Sequence, residues 1–193
     1  MEALVKRELY GGAIELHIPA RFVDISDFRP VPDHQEVWAD AREDQSLVVE
    51  VVERLEAGNA ECGRVAWQDA AEAAESSHSE LQGVQQLGPG DVPHLLPSGV
   101  CAYACVAHGV QTVSKGRQGA DAANRVEVRM AVLRLPRAHS ELLLTLNSPL
   151  SISPASQSAQ HAGAGERRAY QASGPLLQAM LQTLQVHDWG LFG

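Results

Sequence analysis

RVEVRMAVLRL at residues 125–135, followed after PRAHSE by LLLTLN at 142–147, decides the fold class. Val126, Val128, Met130 and Val132 fall on one side of an extended chain, and Arg125, Glu127 and Arg129 on the other. That alternation is the signature of an antiparallel strand half buried against a core. Pro136 ends it, and the short link to Leu142–Asn147 makes the two segments a hairpin.

Working outward, Val100 to Val113 is a long apolar run with Tyr103, read as a central strand. Lys115 to Asn124 is a turn-rich connection. LVVEVV at 47–52 suits a strand buried on both faces or nearly so. Glu50 and Glu53 interrupt or bound it. A buried acid is costly unless paired, so Glu50 belongs near an edge or strand end, or faces solvent or a partner. Gln35 to Trp38 has strand character. Gly11-Gly12, between Leu9-Tyr10 and the alternating stretch Ala13 to Ile18, reads as a tight hairpin. Asp24 or Ser26 can cap a single helical turn before Pro30.

Two helices are expected. Asp69-x-x-Glu72 looks like a capping box opening an Ala-rich surface helix to about Gln82. Gly174-Pro175 opens a long C-terminal helix whose Leu176, Leu177, Met180, Leu181 and Leu184 form one core-docking stripe. Residues 149–165, rich in Ser, Ala, Gly and Gln, are expected to be a mobile loop. No repeat or second domain is visible. The expectation is one domain over residues 1–193, an α+β sandwich.

The 193 residues are 45% hydrophobic and 20% charged, ordinary globular usage that argues against a wholly disordered chain. The net charge of −9 disfavours nucleic acid and anionic membranes as partners. The charge is uneven: −7 over residues 1–56, −5 over 57–99 and +3 over 100–193. An acidic N-terminal lobe of this kind can steer a basic partner. Three cysteines do not make a disulfide framework and fit a reducing compartment. No run approaches membrane-helix length, and MEALVKRELYGG has no signal-peptide core. A cytosolic protein with access to the nucleus is expected.

Chemistry is sparse. Phosphate-binding loops, dinucleotide fingerprints and nucleophile elbows are absent from the sequence. Cys101 and Cys105 share a strand face that His108 does not, and no second pair completes a zinc site, so they read as buried structural thiols. None of the eight histidines forms a metal-binding pair at helical spacing. Neither metal nor cofactor is expected. What stands out is a run of acids: Asp24, Asp27, Asp33, Glu36, Asp40, Glu43, Asp44, Glu50 and Glu53. A protein-binding surface suits them better than acid–base catalysis. Such a surface also needs an apolar anchor, for which Trp38, Phe22 and Phe28 are the candidates, each equally able to be core.

ELYGGAI, FVDISDFRPVPDHQEVW, DQSLVVEVVE, VLRLP, LLLTLN and VHDWGLFG together resemble the Ran guanine-nucleotide release factor family, also called the Mog family. The resemblance is densest over residues 8–56 and 126–148. It implies a Mog/PsbP-like fold, a mostly antiparallel sheet sandwiched between helices. It also implies a partner, the small GTPase Ran, whose bound nucleotide, GTP especially, the family is thought to release in nuclear transport. The protein would be a non-enzymatic regulator, monomeric, in nucleus and cytoplasm. The family's acidic strand residues carry over to Glu50 and Glu53, with Asp24, Asp33, Glu36 and Asp44 as further partner-binding candidates. Positions 50 and 53 point to opposite faces of a regular strand, so either a bulge lies between them or Glu53 belongs to the turn beyond. The alternative reading is an adaptor that uses the same acidic surface without exchange activity.

Overall fold

The computed structural model describes residues 2–114, 119–166 and 173–192. The order is β1 (Leu4–Leu9), β2 (Ile14–Pro19), β3 (Val23–Asp24), β4 (Gln35–Asp40), β5 (Gln45–Glu53), α1 (Asn59–Ala73), β6 (His78–Gln86) and β7 (Tyr103–Val113). There follow β8 (Asn124–Leu135), β9 (Ser140–Ile152), α2 (Ala159–Ala162), β10 (Gly165–Glu166), α3 (Ser173–Leu181) and β11 (Gln185–Val186). A large sheet runs β3-β4-β5-β9-β8-β7-β6, with β10 on β9, and a small sheet runs β1-β2-β11. The ladders are antiparallel.

The β8–β9 hairpin forms as read, turning through Pro136–Ala138 with His139 left-handed at φ 47°. It lies deeper than its alternation implied. Every residue from Met130 to Leu135 is buried, because β7 and β9 flank β8 and both of its faces are covered. Met130 and Val132 pack with Cys62 and Ala66 of α1. Ala131, Leu133 and Leu135 join the main core with Leu142, Leu144 and Leu146, the small sheet and α3. The large sheet therefore carries α1 on one face and the small sheet with α3 on the other.

The mid-chain helix is not where the capping box put it. It spans Asn59–Ala73 after Gly58, and Asp69 and Glu72 sit in its C-terminal turns, not at its start. Its buried face is Cys62, Gly63, Ala66 and Trp67, a stripe built from small residues and one tryptophan. A side chain at Gly63 would place Cβ 2.8 Å from Val84 Cγ1 and 2.9 Å from Cys105 Sγ, so glycine lets the helix settle onto the sheet. Residues 78–86, whose first five were expected to end that helix, form the edge strand β6, bulged between Leu81 and Gly83. Its polar sequence suits an edge, where one side needs no strand partner. With β6 outside it, β7 is second from the edge and not central, and it begins at Tyr103.

The C-terminal helix is nine residues, not long. Its stripe docks as read, with Leu176, Leu177, Met180 and Leu181 buried. The helix stops because β11 must reach β2. Thr183 N–H and Leu184 N–H turn back to Met180 and Leu181 carbonyls, tightening the last turn. In the segment read as a loop, Pro149 to Ile152 continue β9, Ser156 and Ser158 are buried, and α2 and β10 follow. Part of the 115–124 connection, residues 115–118, lies outside the described residues. Among the described residues no helix is long and apolar enough to cross a membrane.

Candidate functional site

β4 and β5 pair with Gln35 opposite Glu50 and Glu36 opposite Val49. This register places Gln35 and Glu50 side by side on the α1 face of the sheet, and Gln35 Nε2 donates to Glu50 Oε1 at 2.6 Å. Glu36 points to the other face. There the Tyr10 backbone N–H donates to its Oε1 at 2.6 Å. Tyr10 sits in the positive-φ turn that Gly11 and Gly12 complete, so the predicted hairpin delivers it to this corner. Its hydroxyl lies 2.9 Å from the His34 carbonyl and 2.8 Å from that of Val49.

The corner is electrostatically coupled. Burial, then the Glu36 and Glu50 carboxylates, push the Tyr10 phenol well above its ordinary range. Burial also raises the Glu36 carboxyl; the Tyr10 N–H opposes this and Asp24 adds to it. Asp24 Oδ1 accepts the Ser26 N–H at 2.8 Å, capping a single 3-10 turn, Ile25–Asp27. Asp33 is exposed next to His34, whose carbonyl accepts the Val51 N–H at 3.0 Å. Asp24, Asp33, Glu36 and Glu50 therefore gather at one end of β4 and β5.

The other two candidates lie elsewhere. Glu53 is the last residue of β5 and pairs with Ser140, in a register unbroken from Ser46 onward. There is neither a bulge before it nor a turn beneath it, so it faces away from Glu50 and is exposed. Asp44 sits at φ 54° in the β4–β5 connection, at the opposite end of the strand pair.

Of the three aromatic candidates, Phe22 is 0% and Trp38 7% exposed, and both belong to the main core. Phe28, just after the Asp24-capped turn, is 74% exposed. Tyr10 and Gln35, which hold Glu36 and Glu50, had no motif to mark them. The available signal was register: Gln35 follows the Pro32 turn and begins the strand that must pair with the acidic one.

The cysteines are also rearranged. Cys101 precedes β7 and packs in the main core, while Cys105 lies on the α1 side, its Sγ 3.9 Å from that of Cys62. The expected shared face of Cys101 and Cys105 does not form, because residue 101 is outside the strand. Among the described residues no group of three or more His, Cys, Asp or Glu is placed to hold a metal.

An exposed aromatic beside carboxylates, on the rigid end of a sheet, has the make-up of a surface that docks another protein. Known proteins are similar in sequence and in fold. The family described as Ran-interacting Mog1 protein matches residues 7–149. The Ran guanine nucleotide release factor of Danio rerio is 33% identical over 193 residues, spanning 98% of this chain and 100% of that one. The probable Ran guanine nucleotide release factor of Dictyostelium discoideum is 31% identical, spanning 99% and 97%. The crystal structure of the Saccharomyces cerevisiae Ran-binding protein Mog1p superposes with a TM-score of 0.72 over 100% of both chains, at 24% identity. The chain belongs to the Ran-interacting Mog1 protein family.

Proposed function

We propose that this protein binds Ran through the corner formed by Asp24, Asp33, Glu36 and Glu50, with Glu53 beyond it on β5 and Asp44 at the far end of the β4–β5 pair, and promotes release of Ran's guanine nucleotide, GTP especially. The observation that carries the reading is Phe28, an aromatic left 74% exposed on the turn that Asp24 caps, in a chain of this family. Relatives named nuclear import proteins support a role in nuclear transport, in nucleus and cytoplasm.

No covalent chemistry is required. A protein that binds nucleotide-free Ran more tightly than loaded Ran must weaken nucleotide affinity by the same factor. It is a regulator and not a catalyst. Exposed ion pairs contribute only about 0–1 kcal/mol each, so the acids orient the encounter and an apolar anchor must supply binding energy. Phe28 supplies it. Phe28→Ala is expected to weaken Ran binding about 30-fold, corresponding to about 2 kcal/mol, with an unchanged melting temperature. Titration calorimetry on folded variants checks this.

The direct test loads Ran with a fluorescent GTP analogue and follows its release in excess unlabelled nucleotide. Faster release with this protein is the expected result. Binding with unchanged release would leave an adaptor. Absence of binding would overturn the reading.

A further inference from the structure

The large sheet is wider than the helix that covers it. α1 packs mainly over β6, β7 and β8 and meets β9 and β5 at Leu143 and Val52, leaving much of the same face of β4, β5 and β9 uncovered by it. A cleft of about 860 Å³ fills that space. Val37, Val48 and Val128 form its floor, and Ala70, Ala73 and Ala74 at the end of α1 form one wall. Ile25 and Arg29, from the turn that carries Phe28, form the other. Glu50 and Gln35 close one end, and Asp44 borders the adjoining hollow at the other.

Among the described residues, two polar side chains line this cleft without a protein partner for their buried atoms. They are Gln111, at Nε2, and Thr145, at Oγ1. The residues are 3% and 8% exposed. An unpaired buried donor is costly, and native cores rarely keep two lining one cleft without a use. The volume lies within the range of built ligand sites, about 300–1,000 Å³.

We propose that the cleft receives an extended segment of the partner: a short apolar run carrying a lysine or arginine. The cation meets Glu50, the apolar side chains lie on Val48 and Val128, and a backbone carbonyl accepts the Gln111 amide proton. The inference rests on the reading that Glu50 faces Ran. Two features favour a basic protein segment. Among the described residues, carboxylates at both ends outnumber the Arg29 guanidinium, and the cleft is continuous with the Phe28 corner through the Ile25–Arg29 wall. From Ser46 to Glu50 the trough follows five residues of β5, about 13 Å at roughly 3.3 Å per residue, a length suited to an extended chain.

The test measures Ran affinity and melting temperature for Ala73→Trp and Gln111→Leu, with Phe28→Ala as reference. Ala73 is exposed at the helix end, so Ala73→Trp plugs the cleft without disturbing the core. It is expected to cost at least tenfold in affinity at unchanged melting temperature. Gln111→Leu removes the unpaired amide. It is expected to weaken Ran several-fold while the protein melts at the same or higher temperature, a split that a merely structural glutamine would not give. If both bind Ran normally while Phe28→Ala does not, the cleft proposal is overturned and the Ran reading stands. If the unmodified protein fails to bind Ran, both fall. If Ala73→Trp spares Ran binding but dissolves a self-associated form, the occupant is a second copy and the proposal is likewise overturned.

Discussion

Arg134→Ala is expected to cost about 3–5 kcal/mol of folding stability, the loss typical of breaking a buried ion pair from one side. Arg134 Nε donates to Glu141 Oε1 at 2.8 Å, with side chains 5% and 0% exposed. Its Nη1 donates to Asn59 Oδ1 at 3.0 Å and its Nη2 to the Leu55 carbonyl at 3.0 Å. One guanidinium thus joins β8, β9 and the start of α1. Removing it leaves the Glu141 carboxylate buried, with one oxygen, Oε2, already without a partner among the described residues. Against a total stability of about 5–15 kcal/mol, such a loss is severe. Chemical denaturation read by the urea midpoint checks it. The paired change Arg134→Met with Glu141→Leu should recover most of the loss, because removing both charges also removes their desolvation cost. A double variant as unstable as the single would show that the Asn59 and Leu55 contacts, and not the ion pair, hold α1 in place.

That residue shows where the sequence was readable and where it was not. The hairpin from Arg125 to Asn147 announced itself through period-two alternation, and even parity puts Arg134 on the same face as Val126 to Val132. A charge on the apolar face was the visible sign of a buried pair. Its partner was not visible, since Glu141 lies past the turn, and only the register that pairs Arg134 with Glu141 brings them together. The misplaced helix has a different cause. Asp69 and Glu72 satisfy a capping box locally, but the helix is set by burial of Cys62, Ala66 and Trp67 against β7 and β8. Small residues give that stripe little hydrophobic signal, and packing overrode the local cue. β6 went unread because an edge strand can be almost wholly polar. At the candidate site, the acids were legible as a group. Which of them share a corner depended on strand pairing, and the one exposed aromatic among three could not be told from the two buried ones by composition.

Glu50→Lys is expected to reduce Ran affinity at least 100-fold, and Glu53→Lys less than tenfold, although three positions separate them on one strand. Glu50 is half-buried at the end of the cleft, opposite Gln35, where a partner's cation would lose much of its water. Close charge pairs in such settings couple by about 1.5–7 kcal/mol, and 100-fold corresponds to only about 2.7 kcal/mol. Glu53 is exposed on the other face, where a lone pair contributes about 0–1 kcal/mol and salt screens it. Raising ionic strength should therefore shrink the Glu53 effect toward nothing and leave most of the Glu50 effect. Neither change should move the melting temperature far: Glu53 is exposed, and Glu50 gives up one hydrogen bond to Gln35, worth about 1–2 kcal/mol at most. The double reversal should abolish binding, with the single effects adding, because the two side chains point apart and share no partner. Equal losses from both single changes would mean that Ran reaches past the corner and presses on the strand end at Glu53. Loss of binding together with early melting would make Glu50 a structural residue and remove the corner as the docking site.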